Sequence, residues 1–288
     1  MRANEPEFRV SVMCRVLEVN PSGYNAWRGR KASPRAEENE RLVKEIKTIH
    51  AARRATYGSP KVCRKLRRDG EAVNHKRVAR LMREHGIKAK RVKKFRVTTD
   101  SRHSLPIAEK VLARNFTAAR PDQVWTTDIT YVWTDEGWLY LTVVLDLYSR
   151  LVVGWAVSES LTTMMVERAL TNAQQRRLCA VSPLVHSDRG CQFASAAFRE
   201  RLAAWECRQS MSRKGNCWDN AVTESFFGTL KNELVDHERF CTRQEAKDKI
   251  FDYIEVFYNR SRIHSTIDYF APAEYEARYY EAQLKLAA

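Results

Sequence analysis

Three consecutive strand-like segments constrain the fold of this chain most strongly. Within residues 123–158 the sequence reads QVWTTDITYVWT, WLYLTVVLDLYS and RLVVGWAVS, and all three segments are rich in β-branched and aromatic residues. Short links at 135–137 and 149–150 join them. Links this short connect antiparallel strands, because parallel strands need a long crossover connection. We therefore predict an antiparallel meander of three strands.

Helices and strands alternate after this meander. Apolar residues at helical spacing predict helices, and short apolar runs between them predict strands. The predicted elements are a helix over 162–177, a strand over 183–186, a helix over 193–205, a strand over 208–211 and a further helix within 215–234. This order of elements indicates an α/β domain.

Two aspartates lie in or beside the apolar strands. Asp128 is in the middle of WTTDITYV, and Asp188 follows the short apolar run in VHSDRGCQF. A carboxylate in an apolar strand opposes both strand propensity and burial, so each aspartate needs a reason. A hydrogen-bonded buried side chain is one explanation for Asp128, and a register in which it faces solvent is another.

A third acidic residue, Glu224, lies in the predicted helix of GNCWDNAVTESFFGTLKNEL, which spans 215–234. Asp219 or Asn220 can cap the first turn of this helix. Its apolar stripe consists of Phe227, Leu230 and Leu234, at helical spacing. Glu224 lies to one side of that stripe.

The helix face that carries Glu224 also carries Asn220, Gly228 and Lys231, which are four or seven positions away. A carboxylate beside a glycine, with a lysine further along, suits an anionic substrate near a metal ion. The alternative is an amphipathic helix whose Glu–Lys face is only solvated.

The net charge of +15 is unevenly distributed. Residues 1–120 carry 31 Lys and Arg against 12 Asp and Glu, whereas residues 121–288 carry 19 against 23. The N-terminal part is therefore predicted to bind a polyanion. Nucleic acid is favoured over a membrane surface, because the basic helices lack a broad aromatic face.

Two short predicted helices with a tight turn between them lie inside this basic part. SPKVCRKLRRDG and HKRVARLMREHG resemble a helix-turn-helix, whose second helix lies in the major groove of DNA. The alternative is a solvated basic helix in a bundle. On the first interpretation, the DNA-binding residues of the second helix are Lys76, Arg77, Arg80 and Arg83.

The combined pattern is similar to a known family. Sixty positions separate Asp128 from Asp188, and 35 residues lie between Asp188 and Glu224. This spacing resembles the retroviral-integrase-like catalytic core, with its Asp, Asp, thirty-five residues, Glu signature. HSDRG, GNCWDNAVTESFFGTLKNEL and YNRSRIHSTIDYFAPAEYE resemble, more narrowly, the second-frame (OrfB-type) transposase protein of the insertion sequence three family. The resemblance covers nearly the whole chain.

The resemblance implies a fold and a division into domains. The expected fold is an α/β, ribonuclease-H-like integrase core preceded by an all-α helix-turn-helix region. Asp128 would lie on the central first strand, Asp188 just past the neighbouring fourth strand, and the Glu224 helix across them. The expected parts are a helical DNA-binding region at 1–86, a basic linker at 87–121, the catalytic core at 122–240 and a C-terminal helical extension at 241–288.

The resemblance also implies an activity, which is metal-dependent DNA 3′-end cleavage followed by strand transfer. Three carboxylates brought together repel one another, and hard carboxylate oxygens favour Mg²⁺ or Mn²⁺. Two such ions activate an attacking oxygen and stabilise a leaving one in phosphoryl transfer. Asp128, Asp188 and Glu224 would be the catalytic and metal-binding residues. Lys231 would bind a DNA phosphate near the scissile bond, and Asn220 would orient Glu224 or contact the DNA.

The expected partners are the transposon ends and target DNA, a first-frame transposase protein, and further copies of this chain on the DNA. Seven scattered cysteines, no apolar run of transmembrane length and no signal peptide predict a reduced, cytoplasmic protein of a bacterium, associated with the nucleoid. No membrane partner is expected. The sequence leaves open the roles of residues 1–33 and His264. It also leaves two other functions open, a catalytically inactive DNA-binding relative and a ribonuclease-H-type nuclease without strand transfer.

Overall fold

A computed structural model describes residues 1–31, 33–90, 108, 118–177, 182–212 and 220–287. The central element is a five-stranded mixed sheet with strand order β3-β2-β1-β4-β5. Its strands are β1 (Val124–Thr134), β2 (Gly137–Asp146), β3 (Val152–Ser158), β4 (Leu184–Ser187) and β5 (Arg208–Met211). The predicted meander is confirmed, since β1, β2 and β3 pair antiparallel in sequence order.

Helices both precede the sheet and surround it. The five N-terminal helices are α1 (Val10–Val16), α2 (Pro21–Arg28), α3 (Pro34–Ala52), α4 (Ser59–Arg68) and α5 (His75–Glu84). The others are α6 (Thr163–Arg177), α7 (Ala196–Ala204), α8 (Ala221–Glu233), α9 (Arg243–Phe251), a π-helical segment (Asp252–Tyr258) and α10 (Pro272–Ala287). Along the described residues, no helix combines the length and the apolar character needed to cross a membrane.

Two apolar layers cover the sheet. On one face, Val132, Leu141 and Val143 pack against α8, α9 and the π-helical segment. On the other face, Trp125 and Val153 pack against α6 and α7. A side chain at Gly154 would collide with the backbone of Ala169, so glycine at this position lets α6 lie close to β3.

The helix-turn-helix region has its own core. Buried residues of α3, α4 and α5 form one cluster, which includes Ile46, Leu66 and Leu81. Gly70 adopts a φ of +95°, which lets the chain turn after α4. The side chain of Asn74 accepts a hydrogen bond from the Lys76 amide at 2.6 Å and caps α5. The helix pair predicted from the sequence is therefore present.

This N-terminal region is docked on the C-terminal part of the chain. The Tyr57 hydroxyl accepts a hydrogen bond from the Ile263 amide at 2.8 Å and donates one to the Ser261 carbonyl at 3.2 Å. Ion pairs at the periphery join Arg54 to Asp252 at 2.6 Å and Arg68 to Glu274. Together these contacts hold the basic helices against the C-terminal part of the chain.

Several element boundaries differ from those predicted. The helix predicted from residue 193 begins at Ala196, because Ser195 caps it by accepting from the Phe198 amide at 3.2 Å. The long helix predicted over 242–258 ends its α-helical part at Phe251 and continues as a π-helix. The side chain of Asn220, expected to cap α8, makes no capping hydrogen bond. Asp219, the alternative cap, lies outside the described residues.

Candidate active site

Asp128 and Asp188 lie on neighbouring parallel strands. In the register of β1 and β4, Thr126 is opposite His186. Continuing that register by two residues places Asp128 level with Asp188, which directly follows β4. Neighbouring strands are about 4.8 Å apart, so Asp128, in the middle of β1, lies close to Asp188 at the end of β4.

Backbone amides fix the direction of each aspartate. Oδ1 of Asp128 accepts from the amide of Ile129 at 2.7 Å. Oδ1 of Asp188 accepts from the amide of Gly190 at 2.9 Å. A side chain at Gly190 would lie only 3.1 Å from that carboxylate oxygen, so glycine leaves room for this bond. Both side chains are half-buried.

Glu224 is brought to the same region because the first turn of α8 is attached to β1. The hydroxyl of Thr223 donates to the hydroxyl of Thr126 at 2.8 Å, and both residues are fully buried. The Asn220 amide donates to the Thr127 carbonyl at 3.4 Å. Glu224 directly follows Thr223, so these two contacts place its half-buried side chain beside Asp128.

The three carboxylates act on one another electrostatically. Burial, followed by the negative charges of Asp188 and Glu224, raises the pKa of Asp128 well above its ordinary value. Hydrogen bonds from the Ile129 amide and the Asn220 side chain oppose that rise. Burial and then the charge of Asp188 likewise raise the pKa of Glu224. Both shifts reflect negative charge gathered in one place, which disfavours ionisation of these carboxyl groups.

The donor set fits a hard divalent cation, although its members do not stand at coordination distance. Within the described parts of the chain, no three His, Cys, Asp or Glu side chains are gathered tightly enough to hold a metal ion. Carboxylate oxygens are the ligands that Mg²⁺ and Mn²⁺ prefer, and a bound cation would offset the negative charges that raise the pKa values of Asp128 and Glu224.

Asn220 is buried at the N-terminal end of α8. Only 3% of its surface is exposed, and its side chain bonds to β1 and to the carboxylate of Asp128. These bonds orient Asp128, and the DNA contact expected from the sequence stays a prediction.

Lys231 lies two turns after Glu224 on α8. Its ammonium group stands 4.8 Å from the centre of the Tyr131 ring, and Tyr131 follows Asp128 on β1. The side chain is half-buried at the edge of the site. This position is compatible with the phosphate contact predicted from the sequence, which stays a prediction.

The four basic residues predicted on α5 are not equivalent. Arg77 is bonded to α3, through Asn39 at 2.9 Å and Glu38 at 2.9 Å, so it supports the helical region. Arg80 lies 3.7 Å from Glu84 on its own helix. Lys76 and Arg83 are exposed and form no ion pair among the described residues. The predicted basic linker lies almost wholly outside the described residues.

Sequence reasoning missed the two threonines that position the acids. Thr126 precedes Asp128 by two residues in β1, and Thr223 directly precedes Glu224. The hydroxyls of these two threonines bond to each other across β1 and α8, so the sequence around either one does not indicate its partner. The signal that could have identified them is a threonine within two positions of Asp128 and of Glu224, at a position otherwise directed into the core.

Known families match most of the chain. Models described as an integrase core domain match residues 118–217 and 224–279, and a model described as an HTH-like domain matches residues 37–95. The insertion element IS600 uncharacterized 31 kDa protein of Shigella sonnei is 42% identical over 269 residues, which are 93% of this chain and 99% of that protein. The transposase InsF for insertion sequence IS3A of Escherichia coli is 40% identical over 275 residues, covering 95% and 96% of the two chains.

Solved structures of integrases resemble the chain more distantly. The HTLV-2 integrase catalytic core domain in complex with magnesium is 16% identical, with a TM-score of 0.43, and covers 56% of this chain and 99% of its own. The catalytic core domain of BIV integrase is 20% identical, with a TM-score of 0.43, and covers 57% and 99%. The high identity and nearly complete coverage of the sequence relatives show that this chain belongs to the IS3 family of insertion-sequence transposases.

Proposed function

We propose that this transposase cleaves the 3′ ends of its element and joins them to target DNA, using Asp128, Asp188 and Glu224 as one metal-dependent site. The observation that carries the proposal is the proximity of carboxylates from β1, from the end of β4 and from the first turn of α8: the charges of Asp188 and Glu224 raise the pKa of Asp128, and the charge of Asp188 raises the pKa of Glu224. Acidic groups whose pKa values are raised by neighbouring carboxylates are typical of catalytic positions.

Each residue of the site has a proposed role. Asp128, Asp188 and Glu224 would hold two Mg²⁺ or Mn²⁺ ions. Such ions, when bound, supply charge stabilisation for the attacking and leaving oxygens of phosphoryl transfer. Asn220 holds Asp128 in position from α8. Lys231 neutralises a phosphate beside the scissile bond, and Thr223 fixes the first turn of α8 on β1.

DNA recognition is proposed for the N-terminal helices. Residues 1–120 carry the excess of positive charge, and Lys76, Arg80 and Arg83 are exposed on α5. Binding through such residues releases counterions, so affinity should fall steeply with added salt. We further propose that the chain acts on DNA as a homo-oligomer, together with a first-frame transposase protein, in the bacterial cytoplasm at the nucleoid.

A cleavage and strand-transfer assay tests this function. Labelled duplexes carrying the element's own ends are incubated with the full chain and Mg²⁺ or Mn²⁺, with the first-frame protein present and absent. The wild type should release the 3′ end and join it to target DNA. Glu224→Gln should lose at least about 10²-fold in both steps, since each tenfold loss corresponds to about 1.4 kcal/mol of transition-state stabilisation. Its DNA binding should be unchanged.

The control and the opposing outcomes separate the alternatives. Glu281→Gln removes the same charge at an exposed position on α10 and should retain full activity. Cleavage without joining would identify a nuclease of the ribonuclease-H type. DNA binding without metal-dependent cleavage would identify an inactive relative. Full activity of Glu224→Gln would remove Glu224 from the site.

A further inference from the structure

A cavity of about 320 Å³ lies on the other side of α8 from the acidic site. Its walls come from α4, from the turn between β2 and β3, from α8 and from the segment after the π-helix. The lining includes three basic side chains, Lys61, Arg150 and Arg262, together with His264 and hydroxyl groups such as that of Ser225. No carboxylate appears among the described lining residues, so the cavity is strongly basic.

The cations of this cavity are close enough to affect one another. Burial, followed by the positive charges of Arg262, Lys61 and Arg150, lowers the pKa of His264 well below its ordinary value, so this histidine is neutral. Burial and then the charge of Arg262 lower the pKa of Lys61 to about 8. Like charges held together in this way favour a bound anion.

The carboxylate nearest in effect to Lys61, that of Glu233, is already paired with other residues. Glu233 is the one carboxylate that raises the pKa of Lys61 among the described residues. It is bonded to Arg262 at 2.8 Å and to the Tyr253 hydroxyl at 2.8 Å, below the cavity wall. Among the described residues, no ion pair joins Lys61 to a carboxylate, and the Ser225 hydroxyl supplies a further hydrogen-bond donor to the same space. The Thr229 hydroxyl, which also lines the cavity, already donates to the Ser225 carbonyl at 2.8 Å.

We propose that this cavity, which we call the α8 basic pocket, binds a phosphate group of the DNA strand that is engaged at the acidic site. Lys61 supplies the main charge, and the Ser225 hydroxyl supplies a hydrogen bond. Ser225 is the neighbour of Glu224, so the two sites are separated by the thickness of one helix. An α-helix with its side chains is about 10 Å across, which corresponds to roughly three steps of 3.4 Å along a DNA strand.

The pocket lies between the N-terminal region and the rest of the chain. Lys61 belongs to α4 of the helix-turn-helix, whereas the rest of the wall comes from residues 150–266. A phosphate bound there would join the DNA-recognition helices to α8 through the substrate. This inference rests on the proposed function only for the identity of the ligand as transposon-end DNA.

The first test is chemical labelling of Lys61 in the wild-type chain, without divalent metal. At pH 8 the neutral amine of Lys61 should react readily with an acylating reagent, which mass spectrometry of the digest can follow. Inorganic phosphate, or a short oligonucleotide with a 5′-terminal phosphate, should slow this labelling. At pH 8, a rise of one unit in the pKa of Lys61 on anion binding lowers its neutral fraction from about one half to about one eleventh, and so slows labelling roughly fivefold. Lys65 on the same helix, which pairs with Asp69, is the internal control.

The second test locates the phosphate. Single neutral methylphosphonates are placed in turn at the four nucleotides on each side of the cleavage site, and binding of the full chain is measured without metal. One internal position should weaken binding to the wild type and to Lys65→Gln, but not to Lys61→Gln. Lys61→Gln should also lower the slope of log affinity against log salt by about 0.9. If only a 5′-terminal phosphate protects Lys61, the ligand is a strand end rather than an internal phosphodiester.

Clear results would overturn the pocket or the function separately. Equal labelling of Lys61 with and without phosphate and DNA, or the same salt slope for Lys61→Gln and Lys65→Gln, would refute the α8 basic pocket. Protection of Lys61 in a chain that never cleaves DNA would leave the pocket standing and refute the proposed reaction. DNA cleavage by a chain in which neither phosphate nor DNA protects Lys61 would refute the pocket and leave the proposed reaction standing.

Discussion

Two glutamates on α8, Glu224 and Glu233, have opposite electrostatic surroundings. Glu233 is buried and accepts three hydrogen bonds from Arg262, at 2.8 to 3.0 Å, and one from Tyr253 at 2.8 Å. Glu224 is half-buried beside Asp128 and Asp188, and both influences on it raise its pKa. Glu233 is paired with a cation, whereas the negative charge of Asp188 disfavours the ionised form of Glu224.

The comparison separates stability from function along a single helix. Removing a partner of Glu233 leaves a buried charge unpaired, which should destabilise the fold. Removing a carboxylate of the acidic site relieves repulsion, which should stabilise the metal-free protein while abolishing chemistry. The first change is therefore expected to lower the free energy of unfolding, at the Glu233 end of α8, and the second to raise it, at the Glu224 end.

The largest expected effect is the loss of the partner of Glu233. Arg262→Met should lower the free energy of unfolding by about 3–5 kcal/mol, because it leaves Glu233 buried without its cation. Urea unfolding of the full chain measures this change. Arg260→Met, at an exposed position in the same segment, is the control. The double variant Glu233→Gln/Arg262→Met should recover part of the loss, and a single variant as stable as the control would contradict the account.

A smaller loss is expected from the second partner of Glu233. Tyr253→Phe removes only the hydroxyl that donates to Glu233, and hydrogen bonds to charged groups contribute about 1.5–3 kcal/mol. The same urea measurement applies, with Tyr280→Phe on exposed α10 as the control. Equal stability of the two variants would show that Arg262 alone compensates Glu233.

The smallest expected effect is a gain in stability on removal of one carboxylate of the acidic site. The pKa of Asp128 is raised in the folded chain, so its ionisation costs stability as the pH rises from the unfolded pKa to the folded one. Asp128→Asn should therefore raise the Tm at pH 7 by about 2–4 °C, or about 1 kcal/mol, in the presence of a chelator. The two proteins should converge near pH 4 and below. A lower Tm of Asp128→Asn at pH 7 would show that the acidic site is not repulsive.

The sequence predicted the parts of the fold that depend on local pattern. The meander, the β4–α7–β5 order and the helix-turn-helix were confirmed, because alternating and helical apolar spacing fixes them locally. The stripe of Phe227, Leu230 and Leu234 on α8 is buried as expected. The spacing of the three acids identified the candidate site, and their convergence depends on the predicted strand order.

Features that depend on distant partners could not be predicted in this way. The π-helical segment has the same apolar residues that an α-helix would have, so periodicity does not distinguish the two. The bonds of Glu233 to Arg262 and Tyr253 join residues from three segments. His264, whose role the sequence left open, lies 3.2 Å from Arg262 and stacks edge-on against Tyr258 at 4.8 Å. Its surroundings became visible only in the folded chain.

The central claim is that Asp128, Asp188 and Glu224 form one divalent-metal site, and titration calorimetry with Mn²⁺ tests it most directly. The full wild-type chain should bind Mn²⁺, and Asp128→Asn and Glu224→Gln should each lose at least about tenfold in affinity, because an amide is a poorer ligand than a carboxylate for a hard cation. Glu281→Gln, the exposed control, should bind as the wild type does. Wild-type affinity for Mn²⁺ in both Asp128→Asn and Glu224→Gln would contradict the account.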